Sequence, residues 1–200
     1  MEEAIRTKQE KILEIAFKRL EIPYLINQIY CFECGNYFEW VLHKLPELCP
    51  IGRHRLDGAY GKIAVPDFIL IKKRHELGPI PKNSNEIRQT STYEELGIIR
   101  VDGPIHEKKR IEIRDKFQTQ NFLKRGIKVF VVDNSEIDGR EPIRKIKTKH
   151  LKLVMRAPNF IMPPWIHLTM AKFFWDCMNN SKLYELYIND PDIKYRLDLP

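Results

Sequence analysis

The run Ile98-Ile-Arg-Val-Asp-Gly-Pro-Ile-His106 decides how this chain is read. Ile98 to Val101 has the β-branched character of a buried strand, and Asp102-Gly103-Pro104 breaks it as a turn. His106 follows four residues after the acid. Residues 107–125 then place Ile111, Phe117, Phe122 and Leu123 as the apolar positions of a helix, with Gly126 as its stop signal. Ile127 to Val132 returns to strand composition. Strand, helix and strand joined by short connections predict a parallel crossover and therefore an α/β sheet.

The flanking sequence extends this unit. Ile5, Ile12, Leu13, Ala16, Phe17 and Leu20 lie at helical spacing, with Thr7 as candidate cap and Glu10 as its capping-box partner. Pro23 bars continuation of that helix. Residues 24–32 are apolar and aromatic and read as a strand, and 62–72 read as another, buried on both faces after Pro66. Residues 73–97 are polar and rich in proline and asparagine, which predicts a long loop or a hairpin excursion. Beyond Pro163-Pro164, helices are expected over 165–178 and 181–188. The aromatic residues Trp165, Phe173, Phe174, Trp175, Tyr184 and Tyr187 there could stack on bases. Packing of a helix on the sheet, or a homodimer interface, is the commoner reason for such a pattern.

Two hundred residues suit one α/β domain. Within it, 31–58 is a possible zinc-knuckle insertion and 157–200 a helical C-terminal extension. No apolar run approaches the roughly 20 residues of a membrane span, and the acidic start Met1-Glu2-Glu3 is unlike a secretory signal. An intracellular, cytoplasmic protein is expected. The net charge is +7. Between Arg140 and Arg156 the basic residues include Arg144, Lys145, Lys147, Lys149 and Lys152, against the single acid Glu141. Such a strip is either a solvated surface or a set of phosphate contacts.

Asp67 and Asp102 both interrupt apolar strands. A buried, unpaired carboxylate costs several kcal/mol, so each must end a strand, pair with a cation or bind a metal. Two strand-end acids in neighbouring strands could share one Mg²⁺ or Mn²⁺, which takes one or two carboxylates plus water and phosphate oxygens. His106 suits a general acid or base beside such a site.

These residues carry a resemblance. Val101-Asp-Gly-Pro-Ile-His106, followed by Asp115, Phe122, Gly126 and Val129, resembles the Asp-Gly-x-x-His pattern and following helix of Vsr-like endonucleases. Those enzymes form a branch of the restriction-endonuclease-like, PD-(D/E)XK superfamily. Pro66-Asp67-Phe68 is similar to its first metal-binding acid, and residues 10–20 to its opening helix, where Glu10 takes the place of a site-directed glutamate. The resemblance covers about residues 8–32, 62–72 and 98–134. It implies a three-layer α/β/α core with a mixed central sheet, and a metal-dependent DNA endonuclease or nickase. Asp67 and Asp102 would hold Mg²⁺, with Glu10 beside them, and His106 would move the proton. Arg100, Lys109 and Arg114, with Arg144, Lys145, Lys147 and Lys149, would meet nucleic acid. The substrate could be branched, mismatched or single-stranded. The chain departs from the pattern at Arg100, where an acid is expected, and at Gln118, where an arginine is expected. A catalytically impaired nucleic-acid-binding protein on the same fold is therefore an alternative. A zinc-bearing interaction or regulatory protein is a third.

That third class rests on Cys31-x2-Cys34, Cys49 and His54. Three thiolates and an imidazole are a structural zinc set. His43 competes as a ligand, and a redox pair or a disulfide would use the same cysteines. Cys177 falls in the C-terminal helix pattern and reads as core.

Overall fold

The computed structural model describes residues 6–39, 46–56, 62–73, 93–103, 109–137, 149–157, 161 and 165–197. His43, His106, Arg144, Lys145, Lys147 and most of 73–97 lie outside these residues.

In chain order the elements are α1 (Lys8–Arg19), β1 (Tyr24–Leu25), β2 (Gln28–Cys31), β3 (Asn36–Glu39), β4 (Ile63–Ala64), β5 (Phe68–Lys73) and β6 (Tyr93–Asp102). They continue with α2 (Lys109–Lys124), β7 (Lys128–Asp133), α3 (Asn134–Ile137), α4 (Lys149–Arg156), α5 (Ile166–Asn179), α6 (Ser181–Ile188) and α7 (Pro191–Leu197). The main sheet runs β1-β5-β6-β7 and a smaller one runs β3-β2-β4. β1 and β6 each pair with β5 antiparallel, while β6 and β7 are parallel, as the crossover requires.

The strands expected over 24–32 and 62–72 are both split between the sheets. Residues 24–32 turn at Asn27, whose φ of 56° bends the chain, so β1 joins the main sheet and β2 the small one. Residues 62–72 likewise divide into β4 and β5 around Val65-Pro66-Asp67. Proline cannot donate to a ladder, and a break there follows. The strand expected from Gly97 begins earlier, at Tyr93, and pairs antiparallel with β5 as far as Lys73.

Register parity assigns the layers. Phe68, Ile99 and Phe130 are cross-strand partners on one face. There Phe68 meets Phe17 of α1, and Phe130 meets Phe174 of α5 and Tyr184 and Tyr187 of α6. Arg100 lies on the opposite face and bonds to α2. The sheet is thus mixed and covered by helices on both sides. Phe173, Phe174 and Tyr187 are fully buried, so these C-terminal aromatics pack on the sheet.

β7 is an edge strand. The Tyr184 hydroxyl accepts from the Val129 N–H at 3.1 Å, and that of Tyr187 from Val131 at 2.9 Å. These hydroxyls satisfy the outward amides that an open edge would expose.

One helical expectation needs correction. α2 turns Asp115, Thr119 and Phe122 inward, whereas Phe117 is 49% exposed. The buried polar pair is there because Arg100 is its partner. The basic strip ends in α4, which buries Leu153 and Val154, and α7 is an additional helix. Gly126 caps α2 as expected, with φ +73° and its N–H donating to Leu123.

Candidate functional site

β5 runs antiparallel to β6, so the start of β5 and the end of β6 lie at the same end of these two central strands. Asp67 directly precedes β5 and Asp102 ends β6. The Val101 N–H donates to Asp67 Oδ2 at 2.6 Å. Burial pushes the Asp67 carboxyl up to about 7, against the Val101 hydrogen bond. The negative charge of Glu10 raises it further, Arg100 lowers it and Asp102 raises it. Glu10, Asp102 and Arg100 thus all lie close enough to act on the Asp67 carboxyl.

Glu10 belongs to the cap of α1. The Thr7 side chain accepts from the Glu10 N–H at 3.2 Å, and its hydroxyl donates to Glu10 Oε1 at 2.8 Å. Arg6 also reaches Glu10, at 3.6 Å, pairs with Glu14 and lies over the Phe68 ring at 4.9 Å. Arg6 and Glu14 escaped the sequence reading. Their i,i+8 separation falls outside the usual helix pairings, and Arg6 precedes the helix.

Asp102 is held by Arg100, whose Nη2 donates to its two carboxylate oxygens at 3.0 and 3.2 Å. Positions i and i+2 of a strand share a face. Arg100 Nη1 donates to the Asp115 carbonyl at 2.8 Å and to Thr119 Oγ1 at 2.6 Å. Asp115 Oδ2 lies 3.5 Å from Arg100 Nη2, and Asp115 Oδ1 accepts from Arg114 Nε at 3.0 Å. Arg100 and Arg114, expected at nucleic acid, are both engaged within the protein. Gln118, at the expected arginine position, instead donates to the Ile63 carbonyl at 2.8 Å. Lys109 is exposed at the start of α2. Lys149 begins α4.

A second cluster stands in the small sheet and its loops. The ligand atoms of Cys31, Cys34, Cys49 and His54 all lie within 4.8 Å of one another, a set that could hold a metal ion such as zinc. Among the described residues no other group of three or more His, Cys, Asp and Glu side chains brings its ligand atoms so close together, and Glu10, Asp67 and Asp102 do not form one. Cys31 Sγ is 2.8 Å from His54 Nε2 and Cys34 Sγ is 3.7 Å from Cys49 Sγ. All four cysteines are free thiols, so the disulfide alternative is not formed. Burial pushes the Cys31 thiol up to about 11. Burial also acts to raise Cys34, but hydrogen bonds, first from Asn36, hold it below the usual thiol range. Cys177 is buried in the main core as expected.

Among the described residues no helix is long and apolar enough to cross a membrane. No family model, curated protein or solved structure matches the chain.

Proposed function

We propose that this protein is a metal-dependent DNA endonuclease or nickase on a restriction-endonuclease-like fold, akin to the Vsr-like branch. The observation that carries this reading is the placement of Asp67 and Asp102 at the same end of the central strands β5 and β6, with Asp67 bonded to the Val101 backbone and Asp102 and Glu10 within electrostatic reach of it. With the small sheet β3-β2-β4 set aside, the order α1, the antiparallel strands β1, β5 and β6, α2 and the parallel strand β7 is consistent with it.

The donor set fits Mg²⁺ or Mn²⁺ in kind, because carboxylate oxygens are the hard ligands these ions take. Each carboxylate oxygen has more than one lone pair, so the bonds from Val101 and Arg100 do not saturate Asp67 and Asp102. Mg²⁺ when bound would supply positive charge that polarises a phosphate and acidifies a water. The protein's own part is to hold that geometry. Val101 fixes the Asp67 carboxyl, Arg100 orients Asp102, and Glu10 adds negative charge from α1. His106 would hold or release the proton of the reaction. Lys109, with Arg144, Lys145, Lys147 and Lys149, would meet the DNA backbone.

The test is cleavage of supercoiled plasmid and of branched, mismatched and single-stranded oligonucleotides in Mg²⁺ or Mn²⁺. Nicking by the wild type that Asp67→Ala abolishes is the expected result. His106→Ala should lower the rate by about 100-fold or more. Cleavage that persists in Asp67→Ala would sink this assignment.

One observation favours a second reading, a nucleic-acid-binding protein without catalysis. Arg100 already neutralises Asp102 through both carboxylate oxygens. Salt-dependent DNA binding with no cleavage of any substrate would select it. Zinc in the Cys/His cluster is compatible with both.

A further inference from the structure

We propose that Cys31, Cys34 and Cys49 through Sγ, and His54 through Nε2, bind one Zn²⁺, and that this ion holds the small sheet together and thereby fixes Asp67. The significance of Asp67 rests on the nuclease reading above; the zinc site does not.

The geometry matches the ion. Zn–S bonds of about 2.3 Å in a tetrahedron separate two sulfurs by about 3.7 Å, and Cys34 Sγ and Cys49 Sγ are 3.7 Å apart. A disulfide would need about 2.05 Å. Cys31 Sγ and His54 Nε2, at 2.8 Å, are closer than co-ligands stand, so loading requires only a small outward shift of one side chain. Three thiolates and an imidazole form a set that selects zinc over magnesium or calcium.

The backbone is prepared for it. The Gly35 N–H donates to the Cys31 carbonyl at 2.8 Å, closing the first turn. In the second, the Gly52 N–H donates to Cys49 Sγ at 3.3 Å, and the Cys49 N–H donates to the His54 carbonyl at 2.8 Å. A Cβ on Gly52 would lie 2.5 Å from His54 Cε1 and 3.0 Å from Cys34 Cβ, so any larger residue would push the imidazole and thiol from their places. Glu33 Oε2 lies 3.5 Å from His54 Nε2 and Lys62 pairs with Glu33 at 3.2 Å. Zinc at Nε2 would release Glu33 to Lys62.

Apolar packing is thin on the face that carries the ligands. One face of the small sheet belongs to the main core through Tyr30, Tyr37 and Ala64, and the other packs on Ile29, Cys31, Phe38, Cys49 and Leu56, with Ile63 partly buried beside them. Two of those five buried side chains are ligand cysteines, so on this face a metal would supply part of what a larger apolar core supplies elsewhere.

From this sheet the chain leads directly to Asp67. Cys31 pairs with Ile63, and the Phe32 N–H donates to the Lys62 carbonyl at 2.8 Å. Gln118 and Arg125 of the α2 region hold the Ile63 and Phe32 carbonyls at 2.8 and 2.6 Å. After Ala64, only Val65 and Pro66 separate β4 from Asp67. One end of the Asp67 segment is therefore anchored by the ligand-bearing sheet, and its carboxylate is anchored at Val101.

The test uses the full chain, purified without chelator. Zinc should be present at about one equivalent. Stripping it should speed amide exchange at Ile29, Phe38 and Ala64, and at Val101 to the extent seen in Asp67→Ala, while Ile98 and Phe130 stay protected. Added Zn²⁺ should restore all of these, and Cys34→Ser should behave as the stripped protein. Less than half an equivalent, with no uptake of added Zn²⁺, overturns the site. Unchanged protection at Ile29, Phe38 and Ala64 after stripping overturns the structural role, and unchanged protection at Val101 overturns the link to Asp67. None of these readouts needs DNA or Mg²⁺, so failure of the nuclease reading leaves them decisive, and their failure leaves plasmid cleavage to be judged by itself.

Discussion

Arg100 has two carboxylates, a carbonyl and a hydroxyl within reach, yet its side chain is only 12% exposed. Removing one partner of a buried ionic network costs about 3–5 kcal/mol, because the other charges stay behind. Arg100→Ala should therefore lower the urea midpoint, because Asp115, whose side chain is 7% exposed, keeps Arg114 but loses Arg100. Exposed Lys109→Ala should leave the midpoint within error. Asp67 permits a prediction with a definite sign. Its carboxyl is pushed up to about 7 in the fold, against about 3.9 in an unfolded chain. The native state then holds a proton that the unfolded chain has lost. The stability this gives is fully present below about pH 4 and is lost as pH rises through 7. Asp67→Asn, neutral throughout and still able to accept from Val101, should raise the melting temperature by about 2–4 °C or more at pH 8 without Mg²⁺. At pH 4 the gain should vanish. A gain equal at both pH values would show that Asp67 is ionised normally.

At the scale of elements, the tyrosines of α6 define the edge of β7. Tyr184→Phe and Tyr187→Phe each remove one hydroxyl bonded to an outward strand amide, at a cost of about 1 kcal/mol. Native-state hydrogen exchange should accelerate at Val129 in the first variant and at Val131 in the second. Acceleration spread evenly over the sheet would mean that the hydroxyls do not act as local caps. The strand–helix–strand unit from Ile98 to Asp133 was legible beforehand, because hydrophobic runs and Gly126 are local signals. The division of residues 24–32 and 62–72 between two sheets was not. Each is one apolar run, and which sheet a strand joins depends on partners distant in sequence, such as Leu70 for Tyr24 and Ala64 for Tyr30. The inward face of α2 was misread for a related reason: its buried Asp115 and Thr119 answer to Arg100 across the layer, and hydrophobic periodicity carries no signal for a buried polar pair.

For the whole molecule, the DNA contact proposed above would be measurable as salt dependence, in a chain of net charge +7. If Arg144, Lys145, Lys147 and Lys149 each contact phosphate, replacing all four by glutamine should reduce the slope of log K against log salt by about 3–4. An unchanged slope would remove the strip from the interface. The chain by itself determined the α/β class, the parallel crossover, the Thr7 cap and the four Cys/His candidates, because each follows from residues close together in sequence. It also required Asp67 and Asp102 to end a strand, pair with a cation or bind a metal, since a buried carboxylate has few other tolerable positions. The tertiary structure decided which groups those acids meet. Asp67 is held by the Val101 backbone 34 residues away, and Asp102 by an arginine that is itself anchored on α2. It also decided that Cys31 and His54, 23 residues apart, would stand side by side. Such contacts come from folding distant segments onto one another, and no local pattern of residue types encodes them.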